Sequence, residues 1–544
     1  MDSGKEYVPE NRARLLLKSR VFLAFIILFV IFVRIRLVEF PLERDEGEYA
    51  YMGQLLLQGI PPYSEAYNMK FPGTYLMYAL MMAIFSQTIE GIHIGLMIVN
   101  CASIILLYLV ARKIVGDFPA AIAGGAYGLL SLSSSVLGFA AHATHFVVLP
   151  ALGGTLLLLQ ALEKKYLRLY FLSGFLMGIS VLMKQPGIFF VLFGITYILW
   201  QHFSSRPAGS LKTLLSWCGA YSLGAALPLL IIFSWLFAAG VFDRFWFWTV
   251  TYASKYGSQI PLAYAFSYFS QRFPSVAGGF FLLWILAAFG FIALLFHKKL
   301  KMNRAFVHFF VLFSFLSICP GFYFRDHYFV TLLPAVSLLV SVFIEFLSSE
   351  GFASFKPVVL KYVGFAIFTV AAIIGIIDQR EYFFADNPVG LSRTFYGNNP
   401  FPESIEIARF IEARTNANDS IAVFGSEPQI FFYAKRRSST GYIYMYSLME
   451  KHDYSLTMQE EMAREVDSSR PKFIVVVPIS TSWLVRSESE KFILGWIEDY
   501  LNRNYSLVGV ADIISPETTI YRWYDAAKDY RVRSESYVFI YERK

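Results

Sequence analysis

The stretch VFLAFIILFVIFVRIRLVEFPLERDEGEYAY, from Val21 to Tyr51, joins an apolar segment directly to a cluster of charges. Its first part, Val21–Phe40, is long enough to cross a bilayer, since about 20 apolar residues in a helix span the hydrocarbon core. Its second part places one Arg, one Asp and two Glu within residues 44–48 of a chain that is only 16% charged. Two interpretations are open: an ordinary polar loop beside a membrane span, or a catalytic carboxylate held at the membrane boundary.

The composition of the whole chain indicates a polytopic helical membrane protein. Of its 544 residues 56% are hydrophobic, the mean hydropathy is +0.50, and apolar runs of about 20 residues recur along it. The net charge of +7 is expected to reflect basic cytoplasmic loops. Because no basic stripe with interleaved aromatic residues occurs, we expect no nucleic-acid partner. The three cysteines show neither metal-ligand spacing nor a disulfide framework.

Basic residues indicate how the chain is oriented in the membrane. Four of them precede the first span, which has no small-residue cleavage site after it: Arg12, Arg14, Lys18 and Arg20. By the positive-inside rule the N-terminus is therefore cytoplasmic, and Asp45 emerges on the extracytoplasmic face.

The number of spans depends on the apolar segment Pro72–Gln87. If it crosses the membrane, twelve spans result; if it is a short helix in the outer leaflet, about eleven result. The second arrangement places all later basic clusters on the cytoplasmic side: Arg112-Lys113, Lys164–Arg168, Arg206–Lys212, His297–Lys301 and Lys356–Lys361. We therefore predict about eleven transmembrane helices within residues 1–378.

From residue 379 to 544 the apolar runs shorten and charges become frequent. Alternating helical and strand patterns in this region predict an extracytoplasmic α/β domain. The predicted helices are Ser404–Arg414 and Lys491–Asn502, and the predicted strands are Ser420–Phe424, Lys472–Val477, Tyr505–Ala511 and Tyr537–Tyr541.

Polar residues near the outer ends of the spans are the candidates for chemistry, since ionisable groups at membrane depth are costly and tend to be functional. They are Asp45, Glu46, Glu48, Lys70, His142, His145, Lys184, Gln185, Asp243, Arg244, Arg325, Asp326 and His327. A carboxylate facing several cations suits a substrate with a phosphate leaving group, because the cations hold the phosphate while the carboxylate takes a proton. Solvated loop acids and interfacial anchoring lysines are the structural alternatives.

Four motifs in combination resemble those of a known family. They are Arg44–Ala50, Asn68–Pro72, Met183–Gly187 and Asp326–Phe329. They resemble the dolichyl-phosphate-mannose protein mannosyltransferase-like proteins of the GT-C superfamily, which are related to the aminoarabinose transferases that modify lipid A. Val423–Pro428 is similar to the extracytoplasmic domain of bacterial members. The resemblance implies a GT-C-like fold, a polyprenyl-phosphate-linked sugar donor, and inverting transfer outside the cell (inner) membrane to a glycan, lipid or protein acceptor.

The resemblance also implies roles for individual residues. Asp45 matches the catalytic acid and Glu46 its companion. Donor-phosphate binding is implied for Lys70, Lys184, Arg325 and His327. The candidates for the acceptor side or the second external loop are His142, His145 and Arg244. The segment Phe242–Ser275 is amphipathic and is predicted to lie at the interface and close over the lipid.

One departure concerns the second external loop, where many relatives carry an acidic residue. Ala143-Thr144-His145 supplies no carboxylate. His142 and His145 share a helix face and could ligate a metal, but a third ligand is not evident. We therefore expect a metal-independent reaction without a cofactor, with a divalent metal as the alternative.

Two other functions would also place charged residues at the membrane boundary or in an outer domain. A transporter or flippase for a lipid-linked glycan would also hold cations in a cavity, but it should show mid-span charges and a two-halved repeat. A non-catalytic scaffold would leave the motifs around Asp45 unexplained.

Overall fold

The computed structural model describes residues 10–204, 210–298, 300, 303–350 and 357–544. The described chain is mostly helical and forms one six-stranded sheet near its C-terminus. Four residues of the basic clusters used in the topology prediction lie outside the described residues: Arg206, Lys299, Lys301 and Lys356.

The chain divides into two compact units. The first unit contains Met1–Arg36, Gly95–Ile232 and Gly257–Phe384, and the second contains Leu37–Ile94, Phe233–Tyr256 and Ala385–Lys544. The predicted domains, 1–378 and 379–544, stay a prediction; residues 37–94 and 233–256 cluster with the C-terminal segment.

The first unit consists of long apolar helices. Those lying wholly or mainly in it are Glu10–Arg36, Ile89–Val115, Asp117–Leu132, Ala143–Lys164, Leu167–Met183, Ile188–Ser204, Leu211–Ala238, Leu262–Gly278, Phe281–Phe296, Arg304–Leu316, Leu333–Glu350 and Pro357–Asp378. Small residues let neighbouring helices approach closely: a Cβ on Gly174 would lie 1.9 Å from the carbonyl oxygen of Tyr221, and one on Gly178 would lie 2.2 Å from that of Ala225. This small-xxx-small pattern is typical of helix packing in membranes.

Four helices of the described residues are long and apolar enough to cross a membrane, or five if one bent pair counts as a single span. The four are Ile89–Val115, Ala143–Lys164, Gln185–Ser204 and Leu211–Ala238. Shorter apolar helices are Gly73–Phe85, Leu167–Met183, Arg304–Leu316, Leu333–Ser349 and Tyr362–Asp378. The count of eleven spans stays a prediction.

The bent pair corrects one predicted boundary. The apolar run Val276–Phe296 predicts a single span by its length. In the structure Val276 lies near the end of the Leu262–Gly278 helix, and the Phe281–Phe296 helix follows at an angle of 115°. Two consecutive glycines, Gly278 and Gly279, mark the break, where helix propensity is low. The segment predicted as an interfacial loop, Phe242–Ser275, is largely helical, with large apolar side chains exposed at Leu262, Tyr264 and Phe266.

The second unit combines two helices, Arg44–Leu57 and Gly73–Phe85, with the C-terminal α/β segment. The other helices of this unit with four or more described residues are Phe242–Trp246, the π-helical Phe247–Tyr252, Ala253–Gly257, Pro388–Tyr396, Phe401–Glu412, Gln429–Ala434, Tyr446–Met449, Ser455–Ser469, Ser480–Trp483, Phe492–Asn504 and Asp525–Lys528. The strands are β1 Ser420–Phe424, β2 Arg437–Ser438, β3 Phe473–Val476, β4 Tyr505–Ser515, β5 Thr518–Trp523 and β6 Tyr537–Arg543.

The sheet has the order β2-β1-β3-β6-β4-β5. Strand β1 runs parallel to β2 and β3, with Ile421 opposite Phe473, while β6 runs antiparallel to both β3 and β4. Because the chain folds into a mixed sheet covered by helices, the predicted C-terminal α/β region is confirmed, including the four predicted strands.

Aromatic residues from all three chain segments form the core of the second unit. Tyr67 stacks on Trp248 at 5.9 Å between ring centroids and meets Tyr442 edge-on at 5.3 Å. All three are buried, together with Phe424 and Leu448 of the C-terminal segment. This core holds the 37–94 segment, which carries Asp45 and Lys70, against the α/β segment.

Candidate active site

The Arg44–Leu57 helix begins with a reciprocal cap. Glu43 is the N-cap and accepts a hydrogen bond from Glu46 N at 3.0 Å, while Glu46 Oε2 accepts from Glu43 N at 3.5 Å. Two acids spaced three residues apart thus satisfy helix-end donors in the manner of a capping box. Negative charge in the first turn is also favoured by the helix dipole. The cap therefore fixes the backbone that carries Asp45, in the first turn of this helix.

Lys70 lies against this turn. Its Nζ is 3.0 Å from Asp45 Oδ1 and 3.4 Å from Glu48 Oε2, and 4.6 Å from the centroid of the Tyr49 ring. The hydroxyl of Tyr444, from the C-terminal segment, donates to Asp45 Oδ1 at 3.3 Å. Two of the predicted site residues, 25 positions apart in the chain, are thus brought into direct contact.

Accessibility separates Asp45 from the neighbouring acids. Its side chain is 14% exposed, equal to that of Lys70, whereas the side chains of Glu46 and Glu48 are fully buried. Among these carboxylates only Asp45 offers a surface that an incoming substrate can reach.

Glu46 has a buried partner that the sequence analysis missed, His93. Glu46 Oε1 is 3.1 Å from His93 Nε2, and His93 Nδ1 donates to the carbonyl of Val38 at 2.8 Å. Because a carbonyl only accepts hydrogen bonds, Nδ1 carries a proton. A hydrogen bond between Nε2 and the Glu46 carboxylate then requires one further proton, which these two groups share. These contacts suit Glu46 to positioning the helix start.

The buried charges around Lys70 influence one another. Burial raises the pKa of Glu48 to about 7, although Lys70 and the hydrogen bond from Tyr75 oppose this. For Lys70 burial lowers the pKa, but Asp45 and Glu48 more than offset it, so the pKa of its ammonium lies above its usual value. The pKa of Glu43 is raised by burial and by Asp45 and Glu46. The ammonium is therefore firmly protonated beside two acids of different accessibility.

Arg44 ties the start of the helix to the segment after β1. Its guanidinium binds Glu427 Oε1 at 2.8 Å and the carbonyl of Ser426 at 2.7 Å, and it donates to Asn399 and to the Tyr446 hydroxyl. Glu427 is fully buried and also accepts from Ser482. Sequence reasoning missed this role of Glu427; the available signal was an acid three residues after an apolar strand, inside the motif Val423–Pro428.

Gly47 permits this close packing. A Cβ at this position would lie 2.6 Å from the backbone nitrogen of Gln429, too close for any side chain. The glycine of the Arg44–Ala50 motif is therefore required by contact with the Gln429–Ala434 helix.

The predicted residues of the first unit also converge. The rings of His142 and His327 stack with centroids 4.1 Å apart, and Lys184 Nζ lies 3.9 Å from the centroid of the Tyr328 ring. Arg325 lies 5.6 Å from the ring centroid of Tyr323. Three separate loops thus come together, and the His142–His327 pair could supply two ligands to a metal.

Arg244 is engaged in the second unit. It forms an ion pair with Glu461 at 3.1 Å and lies 4.4 Å above the Tyr67 ring, with 45% of its side chain exposed. Its predicted role at the acceptor side stays a prediction, as do the roles of the other predicted site residues.

The chain is similar to a known protein family and to several solved structures. Residues 70–236 match the family described as dolichyl-phosphate-mannose-protein mannosyltransferase. No curated protein sequence matches the chain. The structure is similar to ArnT from Cupriavidus metallidurans bound to undecaprenyl phosphate, with a TM-score of 0.56, 16% identity, and coverage of 84% of this chain and 93% of that one.

Two further structures share the fold. ArnT from the same organism in the apo state gives a TM-score of 0.57 at 16% identity, covering 95% of this chain and 98% of that one. The archaeal oligosaccharyltransferase AglB from Archaeoglobus fulgidus, in complex with an inhibitory peptide and a dolichol-phosphate, gives 0.50 at 13% identity, covering 95% and 75%. Together with the family match over residues 70–236, this shared fold confirms the resemblance to GT-C membrane glycosyltransferases that the sequence motifs carry.

Proposed function

We propose that the chain transfers a sugar from a polyprenyl-phosphate-linked donor to an acceptor on the extracytoplasmic face of the cell (inner) membrane. The family description names a dolichyl-phosphate-linked sugar, and the similar ArnT and AglB structures hold undecaprenyl phosphate and dolichol-phosphate. These relatives support a lipid-phosphate donor and a glycan, lipid or protein acceptor.

The observation that carries the proposal is the contact between Asp45 and Lys70. A carboxylate and an ammonium, each with 14% of its side chain exposed, lie 3.0 Å apart, so a base and a phosphate-binding cation stand side by side. A carboxylate next to an ammonium is favoured in its charged form, which is the form a general base requires.

Transfer by this pair is a single displacement. The acceptor oxygen attacks the anomeric carbon, the bond from that carbon to the phosphate oxygen breaks, and the configuration inverts. The acceptor proton passes to Asp45, and the electron pair leaves with the polyprenyl phosphate, whose negative charge Lys70 stabilises. An arriving phosphate would draw Lys70 away from Asp45 and so strengthen the base at the moment it is needed.

The other predicted residues take supporting roles in this proposal. Glu46, held by Glu43 and His93, positions the first turn of the helix. The resemblance supports donor-phosphate contacts for Lys184, Arg325 and His327. Acceptor contacts are assigned to His142, His145 and Arg244, and the reaction proceeds without a metal or cofactor.

The proposed topology follows from the basic loops. The N-terminus is cytoplasmic, and the C-terminal α/β region lies outside, where it shapes access for the acceptor.

A donor-consumption assay tests the proposal. Purified protein in lipid nanodiscs is incubated with a panel of radiolabelled polyprenyl-phosphate sugars, and release of polyprenyl phosphate is followed with and without membrane extract as acceptor. We expect one donor to be consumed by the wild-type chain, and not by Lys70→Gln. If the variant consumes donor at the wild-type rate, the proposed pair is wrong; if no donor is consumed by either protein, the transferase proposal fails.

A further inference from the structure

The segment formed by residues 438–446 of the C-terminal region contacts the helix that carries Asp45. The backbone N–H of Ser438 donates to the hydroxyl of Tyr51 in this helix at 2.7 Å. At the other end of the segment, the half-buried Tyr444 donates its phenol to Asp45 Oδ1 at 3.3 Å. The C-terminal region thereby reaches the carboxylate that we propose as the base.

Contacts on both sides of Tyr444 hold its backbone in place. Before it, the carbonyl of Gly441 accepts from the backbone N–H of Tyr67 at 2.8 Å. A Cβ on Gly441 would lie 2.1 Å from the Tyr67 ring, so the segment packs directly on that ring. After it, the backbone N–H of Met445 donates to Ser426 Oγ at 2.9 Å. The backbone thus presents Tyr444 to the base from two fixed points.

A second tyrosine orients the ring of Tyr444. Tyr446 meets this ring edge-on, with the two centroids 4.8 Å apart, which is a favourable arrangement for aromatic pairs. The hydroxyl of Tyr446 donates to the carbonyl of Thr481 at 2.7 Å and accepts from Arg44 Nη1 at 3.1 Å. Because Tyr446 is itself anchored, it limits the rotation of the Tyr444 ring beside Asp45.

Tyr444 and Lys70 contact the same oxygen of Asp45, at 3.3 Å and 3.0 Å respectively. The torsion that turns an Asp carboxylate is broad, so its hydrogen-bond partners decide its orientation. A phosphate that draws Lys70 away would remove the ammonium from Oδ1, whereas the phenol, held by its backbone, would stay. Desolvation and the charge of Asp45 raise the pKa of the Tyr444 phenol above its ordinary value, so the phenol keeps the proton that it donates.

We propose that Tyr444 is a positioning residue that keeps the Asp45 carboxylate oriented toward the acceptor while the donor phosphate holds Lys70. This role deepens the proposed function and rests on it. Because Tyr444 acts through Asp45, its loss should slow turnover without weakening donor binding. The C-terminal region would then supply part of the reaction centre.

Tyr444→Phe keeps the ring and removes only the hydroxyl. With the radiolabelled polyprenyl-phosphate sugar that the wild-type chain consumes, we expect kcat to fall about tenfold, as for the loss of one hydrogen bond to a charged group, and the donor KM to stay within about twofold. The matched control is Tyr530→Phe, since Tyr530 donates to Asp512 Oδ2 at 2.9 Å in the same unit; it should keep the wild-type kcat. A wild-type kcat in Tyr444→Phe, or equal losses in both variants, would overturn the proposal.

Double-mutant cycles test whether Tyr444 acts through Asp45. Asp45→Ala removes the base and the hydrogen-bond acceptor together, so adding Tyr444→Phe should lower kcat no further, and an undiminished tenfold loss in this background would overturn the proposal.

Thermal unfolding of the same four proteins needs neither donor nor transfer. We expect Tyr444→Phe to lower the Tm more in the wild-type background than in Asp45→Ala, and equal shifts in both backgrounds would overturn the positioning role even if the chain transfers sugar. If the Tm shifts are unequal but the wild-type chain consumes no donor, the proposed function fails, and the catalytic role of Tyr444 with it, while its contact with Asp45 stands.

Discussion

Lys70 Nζ bridges Asp45 Oδ1 at 3.0 Å and Glu48 Oε2 at 3.4 Å, so one ammonium joins a partly exposed carboxylate to a buried one. The buried partner holds Lys70 in place, while a substrate can reach the partly exposed one. This division of roles explains why the charges after the first apolar helix are so closely spaced.

Replacing Lys70 by Gln should impair both donor binding and turnover. The variant keeps a hydrogen-bonding side chain but lacks the charge that stabilises the leaving phosphate, a loss that costs about 10²–10³-fold in rate when a preorganised electrostatic group is removed. The measurement is kcat/KM with whichever donor the wild-type chain consumes in the donor-consumption assay.

A matched control is available in the same unit. Lys255 pairs with Asp453 at 3.1 Å, but both side chains are largely exposed. Lys255→Gln should therefore retain wild-type turnover, and equal losses in both lysine variants would show that the effect of Lys70 is not specific.

The stability of the protein should fall as the pH rises through neutrality because of Glu48. Since burial raises its pKa to about 7 from a usual 4.5, the folded state binds more protons than the unfolded state between these values. Raising the pH from 5 to 8 should therefore cost up to about 3 kcal/mol of unfolding free energy from this group.

Glu48→Gln resembles the protonated acid and isolates this effect. In thermal unfolding the variant should match the wild type near pH 5 and exceed it near pH 8. A variant that is less stable than the wild type at pH 8 would contradict a raised pKa.

The buried pair of Arg44 and Glu427 should be costly to break. Glu427→Gln leaves the guanidinium without its anion, which in buried pairs costs about 3–5 kcal/mol. The exposed pair of Arg437 and Glu65, at 3.4 Å in the same unit, is the control, and Glu65→Gln should cost less than about 1 kcal/mol. Urea unfolding measures the loss of unfolding free energy in each variant. Equal losses in Glu427→Gln and Glu65→Gln would contradict the claim that burial makes the Arg44–Glu427 pair more costly to break.

Gly47→Ala should destabilise the second unit. Its Cβ would lie 2.6 Å from the backbone of Gln429, and overpacking of this kind costs about 1–3 kcal/mol. Gly495 is in the Phe492–Asn504 helix with open space around it, so Gly495→Ala should instead stabilise by up to about 1 kcal/mol. Thermal unfolding should show a lower Tm for Gly47→Ala and a higher Tm for Gly495→Ala. An unchanged Tm in Gly47→Ala would refute the close contact between Gly47 and Gln429.

Local patterns predicted much of the fold. The apolar run Ser420–Phe424 has the bounds of β1, because polar and glycine residues flank it on both sides. The pattern did not reveal the helix Ser455–Ser469, whose many charges mask its buried face, nor β5, which pairs only with β4 at the edge of the sheet. The bend after Gly278 was also missed, since apolar content alone does not show where a helix changes direction.

The sequence predicted which residues belong to the candidate site better than it predicted the contacts between them. Asp45 and Lys70 were predicted from motifs, yet the sequence did not show that they touch, because the chain between them turns through Tyr63 at a φ of +67°, which is rare for a residue other than glycine. Glu427 lies 383 residues from Arg44, and no local pattern can pair residues so distant. His93, the partner of Glu46, stands at the start of an apolar run, and no motif there marks it as a site residue.

The most direct test of the central claim is sugar transfer by Asp45→Asn, measured beside donor binding in the same preparation. The amide keeps the shape of the carboxylate but cannot take a proton, so turnover should fall by about 10²–10⁴-fold, the contribution of a general base, while the donor still binds. Transfer at the wild-type rate by Asp45→Asn would contradict the claim that Asp45 is the catalytic base.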